Sequence, residues 1–312
     1  MTGSALGLAL VLGITFTACR AEHTRAAGGA VAAVDDSGDT VRLRAPARRI
    51  VSLIPTTTEL LVSAGLAGRV VGRTEWCDWP AAVSSIPSVG GGFPPNVETV
   101  AARRPDLVVL YRTAATGPAA RQLASLGIAV AQLRTDRLAD IPRAARILGT
   151  LSGASEALDS VANAFQRSLA EAATGRSEAG PRPTVLLLAW PDPAVVLGAG
   201  AFMSELLELA GGHNAFGDVP SASAPVSLEA IVARDPVAVF LADRNAGPLL
   251  ARPEWQALPA VRTGRVLTPL EPALTRAGLR APQAVRQLRR RLAELARSDA
   301  AALNFSPSKA LP

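Results

Sequence analysis

Hydrophobic residues recur at three- and four-residue spacing through residues 155–174, just past the middle of the chain. The apolar positions are Leu158, Val161, Phe165 and Leu169. Most of the remaining positions are polar, so the pattern predicts one amphipathic helix. About 20 residues at 1.5 Å each make a helix of roughly 30 Å, about the width of a small domain.

Two sequence motifs occur in the same order on both sides of this helix. Residues 97–110 align without a gap with residues 228–241, and residues 59–65 match residues 205–211. Internal repeats of this kind indicate repeated structural units. The chain is therefore predicted to form two similar lobes joined by one long helix.

Short apolar runs alternate with helical patterns in each half, which is typical of parallel sheets covered by helices. Turn-forming residues between β-prone flanks also predict a hairpin at residues 34–43. The predicted fold is α/β, with two similar parallel-sheet lobes. The predicted strands are residues 49–54, 70–72, 106–111, 128–133, 184–190, 237–242 and 265–269.

The chain begins with an apolar run, residues 6–17, that is too short to span a bilayer comfortably. It ends in Phe16-Thr17-Ala18-Cys19, which resembles the lipobox of bacterial lipoproteins. The resemblance implies that Cys19 is the mature N-terminus and carries a lipid that anchors the protein to the membrane. An ordinary signal peptide cleaved nearby is the alternative, and both interpretations predict export.

Composition adds few constraints. The 312 residues are 49% hydrophobic, which is enough for two domains, and the formal charge is +6. The densest basic cluster, at residues 286–291, lies on an amphipathic C-terminal helix and reads as a solvated face, so no nucleic-acid partner is expected. Cys19 and Cys77 are the two cysteines, so a lipidated Cys19 leaves no intramolecular disulfide.

Several segments resemble the class III, or helical-backbone, substrate-binding proteins of ABC importers for cobalamin, haem and ferric siderophores. The resemblance implies a ligand cleft between the lobes, an ABC permease as partner, and a monomer outside the cytoplasmic membrane. The expected boundaries are a signal peptide (1–18), a tether and hairpin (19–47), an N-terminal lobe (48–152), a linking helix (153–178) and a C-terminal lobe (179–312). The segments that carry the resemblance are residues 48–53, 58–66, 89–91, 96–98, 104–108, 264–266 and 276–280.

Residues 75–80, Glu-Trp-Cys-Asp-Trp-Pro, resemble the aromatic-Asp-aromatic-Pro segment of the cobalamin binders in that family. An aromatic residue that those proteins have near Ser223 is absent here. Broad aromatic side chains at strand ends also suit the flat faces of a corrin or porphyrin, although packing within the lobes is the alternative. The implied ligand-binding residues are Trp76, Trp79, Tyr111, Arg112, Trp190 and Arg276.

Other candidates favour structural roles. Trp255 is expected to be structural, and a lone Cys77 is more often a small buried residue than a metal ligand. His213 follows a Gly-Gly pair that ends a helix, which favours the surface. No resident metal or cofactor is expected.

The expected function is capture of a corrinoid and its delivery to the permease, with a ferric siderophore or haem as the alternative ligand. Haem would favour a tyrosine or histidine as iron ligand, and Tyr111, the only tyrosine, could fill that role. An exported enzyme is a distant alternative. A hydrolase would need a base beside its nucleophile, and His23, in the tether, and His213 are the only histidines. In the family, a pair of glutamates meets permease arginines; Glu98 and Glu229 match them, and stabilisation of a first helical turn is their alternative role.

Overall fold

The computed structural model describes residues 29–174, 182–268 and 276–304. Two α/β lobes flank one long helix. The first lobe contains β1 (Val31–Val34), β2 (Thr40–Leu43), β3 (Ile50–Ser52), α1 (Pro55–Ser63), β4 (Val70–Arg73), α2 (Val97–Ala101), β5 (Leu107–Tyr111), α3 (Gly117–Ser125), β6 (Ala129–Leu133) and α4 (Asp140–Ser152). The long helix is α5 (Ser155–Thr174), and the second lobe contains β7 (Thr184–Pro191), β8 (Ala194–Leu197), α6 (Phe202–Ala210), β9 (His213–Asn214), β10 (Ser223–Pro225), α7 (Leu228–Ala233), β11 (Ala238–Leu241), α8 (Pro259–Arg262), β12 (Val266–Leu267) and α9 (Ala281–Asn304).

The first lobe has a four-stranded parallel sheet in the order β4-β3-β5-β6. Strands of such a sheet are buried on both faces and need nearly continuous apolar sequence. β5 has it, since residues 107–110 are all buried. The carboxyl ends of the four strands lie along one edge, which is where open α/β sheets bind ligands. The β1–β2 hairpin is antiparallel, as predicted.

The second lobe has a mixed sheet in the order β10-β8-β7-β11-β12, with β9 pairing with β7. The strands β7, β11 and β12 are parallel, as predicted, whereas β8 and β10 are antiparallel and were not predicted. β8 follows β7 after two residues, and β10 is three small residues long. Neither segment is long enough to show an alternation of polar and apolar positions.

The internal repeat extends to unusual backbone conformations. Arg104 has φ = 48° and Asp235 has φ = 42°, and the two residues are aligned in the repeat. Positive φ is uncommon for residues other than glycine. Each residue precedes a proline, Pro105 or Pro236, and joins a short helix to a buried strand. The two halves therefore share a connection and not only a sequence motif.

The long helix joins the two lobes through a shared core. It buries Leu158, Ala162, Phe165 and Ala172, and packs against helices of both lobes. The largest hydrophobic cluster contains buried residues from the first lobe, from α5 and from the second lobe. Within the described residues, no helix combines the length and apolar character needed to cross a membrane.

Candidate functional site

A cleft between the lobes lies at the carboxyl ends of the strands. It contains two cavities, of about 390 Å³ and about 800 Å³, and Tyr111 and Arg276 line both. Tyr111 ends β5 in the first lobe, and Arg276 precedes α9 in the second. The cavities are therefore neighbouring parts of one cleft.

Trp76 and Phe93 stand at the mouth of the smaller cavity, with 58% and 59% of their surface exposed. The glycine-rich loop before Phe93 makes this arrangement possible. Gly92 has φ = +77°, and a Cβ there would lie 2.4 Å from the Thr74 side chain. A Cβ on Gly91 would lie 3.2 Å from the Glu75 carboxylate, which is closer than ordinary contact. Phe93 was not predicted from the sequence, although an aromatic residue directly after three glycines was the available signal.

The larger cavity has two different walls. The second lobe contributes apolar and small side chains, among them Leu197, Phe202 and Met203. The first lobe contributes a charged edge that follows β6, at residues 134–137. A ligand here would meet an apolar surface on one side and polar groups along the other.

The Tyr111 hydroxyl donates a hydrogen bond to Asp136 Oδ1. Burial raises the pKa of Tyr111 well above its ordinary value, and the bond to Asp136 raises it further. The phenol is therefore protonated at any physiological pH, and its proton is held by a carboxylate.

Arg276 and Arg280 of the second lobe reach a loop of the first. Arg276 forms an ion pair with Asp78, and the Arg280 guanidinium lies 5.3 Å from the centroid of the Trp79 ring. Trp79, which was predicted to bind ligand, thus lies at a contact between the lobes. Cation–π contacts of this type stabilise by about 0.5–2 kcal/mol, depending on exposure.

Three of the predicted ligand-binding residues line the cavities: Trp76, Tyr111 and Arg276. In the described parts of the chain, the other three predicted residues do not line either cavity: Trp79, Arg112 and Trp190. Arg112 is exposed just beyond β5. Trp190, at 39% exposure, donates its indole N–H to the carbonyl oxygen of Asp192 at 2.8 Å.

Two other candidates have structural surroundings. Cys77 is 2% exposed, and its Sγ lies 3.2 Å from the hydroxyls of Thr58 and Thr74. Trp255 is buried in the core of the second lobe. Among the described residues, no group of three or more His, Cys, Asp or Glu side chains is arranged to hold a metal ion.

The model of the periplasmic binding protein family matches residues 50–269, which includes both lobes and α5. The chain belongs to this family. It is thus a solute-binding protein of the ABC-importer type.

Similar proteins share the fold across most of the chain. A vitamin B12-binding protein of Pectobacterium carotovorum is 27% identical over 256 residues, which cover 82% of this chain and 92% of that protein. The crystal structure of the periplasmic vitamin B12-binding protein BtuF of Vibrio cholerae is 26% identical, with a TM-score of 0.66 over 80% of this chain and 98% of BtuF. A periplasmic haem-binding protein of Pseudomonas aeruginosa is 28% identical, with a TM-score of 0.68 over 78% of this chain and 91% of that one.

This binding protein presents Glu98 and Glu229 at the second positions of α2 and α7, one in each lobe. Both side chains are exposed. Both helices have an N-cap, because Asn96 accepts a hydrogen bond from the Thr99 N–H and Ser227 accepts one from the Ala230 N–H. Hydrogen bonds to the Glu229 carboxylate from its own backbone and from Ser227 lower its pKa. The two glutamates therefore occupy equivalent, exposed positions in the two lobes.

Proposed function

We propose that this protein captures a corrinoid outside the cytoplasmic membrane and delivers it to the permease of an ABC importer. The observation that carries the proposal is the exposed aromatic pair Trp76 and Phe93 at the cleft, beside Tyr111. Aromatic side chains bury roughly 150–250 Å² each, and exposed rings gain most from a broad apolar ligand face. We propose that Trp76, Phe93 and Tyr111 lie against such a ligand.

Haem and ferric siderophores are the alternative ligands, and haem would use Tyr111 as an iron ligand. A tyrosine binds ferric iron as a phenolate. The Tyr111 proton is held by Asp136, and the pKa of this phenol is raised by burial. A corrinoid needs no ligation from this residue, so a neutral phenol suits it.

Titration of the purified mature protein tests the ligand. We expect cyanocobalamin to bind at micromolar protein concentration, as measured by calorimetry and by absorption spectra. Binding of haem or a ferric siderophore with no detectable binding of cyanocobalamin would transfer the proposal to that ligand. The absence of a calorimetric binding signal with cyanocobalamin, haem and ferric siderophores would refute the proposal.

The remaining parts of the proposal concern the partners. Glu98 and Glu229 would contact arginines of the permease, because they are exposed and equivalent in the two lobes. Residues 1–28, which include Cys19, lie outside the described residues. Lipidation of Cys19 and anchoring to the outer face of the membrane are therefore predictions from the sequence.

A further inference from the structure

Arg134 and Asp136 lie two residues apart, directly after β6, and both line the larger cavity. Residues at positions i and i+2 of an extended segment point to the same side. Thr135, between them, lines the smaller cavity instead. The segment thus directs a cation and an anion together into the larger cavity.

The other charged groups of this cavity are already paired. Arg137 forms an ion pair with Glu205, and Arg276 forms one with Asp78. Paired charges have little tendency to attract a further charge. Among the described residues of this cavity, Arg134 and Asp136 are therefore the charged ones that no ion pair already engages.

Both of these side chains keep hydrogen-bonding capacity. Asp136 accepts from the Tyr111 hydroxyl at Oδ1, and within the described residues its Oδ2 has no hydrogen-bond or ion-pair partner. The same holds for the Arg134 guanidinium in the described parts of the chain. A guanidinium only donates and a carboxylate only accepts. A ligand group that satisfies both must accept and donate.

We propose that Arg134 and Asp136 recognise a primary carboxamide at the edge of the ligand. The guanidinium donates to the amide oxygen, and Asp136 Oδ2 accepts from the amide NH₂. A carboxylate in the same place would be repelled by Asp136 and would leave its acceptor without a donor. This inference rests on the proposed function: corrins carry propionamides and acetamides at their periphery, where haem carries carboxylates.

The test compares cyanocobalamin with its b-, d- and e-monocarboxylic acids, in each of which one propionamide has become a carboxylate. Affinities are measured for wild type, Asp136→Asn and Arg134→Gln. Asparagine still accepts from the Tyr111 hydroxyl, so this variant should fold. Asp159→Asn and Arg167→Gln, on the exposed side of α5, are matched controls.

We expect at least one acid to bind wild type about tenfold more weakly than cyanocobalamin. Asp136→Asn should bring the ratio of the affinity for cyanocobalamin to the affinity for that acid towards one, because asparagine can donate to the carboxylate. Arg134→Gln should widen it, because the acid loses its cation. The controls should leave the ratio unchanged.

A purely structural role would change the affinity for amide and acid by the same factor, and this result would overturn the inference. So would wild type that binds all three acids as tightly as cyanocobalamin. If wild type binds haem and no corrinoid, the proposed ligand is wrong, and the inference about Arg134 and Asp136 is tested separately. The variants are then compared on haem and haem diamide, where preference for the diamide supports the pair and preference for haem overturns it.

Discussion

Glu59 and Glu205 occupy matching positions in the repeat, and each accepts a backbone N–H from the opposite lobe. Leu279 donates to Glu59 Oε2 and Leu138 donates to Glu205 Oε2, both at 2.9 Å. Each leucine lies two residues before the last helix of its lobe, α9 or α4. We call these two contacts the clasps. Both border the cleft, since Arg137 and Ala277 line its cavities.

Removing either carboxylate should open its own clasp. Glu59 is 3% exposed, so Glu59→Ala should lower the free energy of unfolding by about 1–3 kcal/mol, because a buried N–H loses its acceptor. Glu205→Ala should cost less than about 1 kcal/mol, because its side chain and its partner Arg137 are partly exposed.

Amide hydrogen exchange at Leu279 and at Leu138 checks this prediction. Each variant should accelerate exchange at its own leucine, and Glu171→Ala on the exposed side of α5 should accelerate neither. Protection that persists at both leucines would show that the clasps do not hold the loops.

The stability contribution of Glu59 should depend on pH. Burial raises the pKa of Glu59 above 4.5, with the Leu279 N–H and then Arg280 and Arg276 opposing the rise. A raised folded-state pKa means that the protonated form is favoured in the folded protein. The stability of wild type relative to Glu59→Gln should therefore be greatest below pH 4.5 and decrease as pH rises through the folded-state pKa.

Urea unfolding of both proteins between about pH 4 and about pH 8 measures that difference. Parallel pH profiles for wild type and Glu59→Gln would contradict the prediction, because glutamine does not titrate.

The long helix and the repeat could be predicted because both leave local signals. The apolar stripe gave α5 its observed bounds, and the matching motifs gave two lobes. The site was harder to predict. Trp79 meets Arg280, about 200 residues away in sequence, and nothing near Trp79 announces that contact. The charged edge at Arg134 was missed because a surface arginine and a cleft arginine look alike in a sequence.

Trp76 should contribute strongly to ligand affinity. Trp76→Ala is expected to weaken cyanocobalamin binding by more than tenfold, or about 2 kcal/mol, because a large exposed ring loses its contact with the ligand. Isothermal calorimetry provides the measurement. Leu126→Ala is the matched control, since Leu126 is also 58% exposed and lies at the end of α3. Equal affinities for Trp76→Ala and wild type would exclude Trp76 from the site.

Reversing both proposed docking charges should separate binding from transport. Glu98→Arg with Glu229→Arg should keep the affinity for ligand and abolish uptake by cells, because like charges would face each other at the permease. Glu156→Arg with Glu171→Arg, on α5, should leave uptake normal. A folded docking double variant that supports wild-type uptake would refute the proposed contact.

The predicted lipid anchor has a direct test. Cys19→Ser should move the protein from the membrane to the soluble fraction, or block its processing, because the lipid-bearing thiol is lost. A single acyl chain holds weakly, whereas several chains anchor stably. Intact mass of the wild-type protein should show a lipid-modified Cys19 as first residue. An unmodified N-terminus at another residue would contradict the prediction.

The clasps have the contact pattern of an isologous interface. Each half of the chain contributes one glutamate, and that glutamate accepts a backbone N–H from the other half. The two subunits of a two-fold homodimer exchange contacts in the same way. A homodimer of half-length chains would enclose a cleft with identical walls. Fusion through α5 frees each wall of the cleft to carry its own residues. A ligand without two-fold symmetry then meets a cleft that also lacks it.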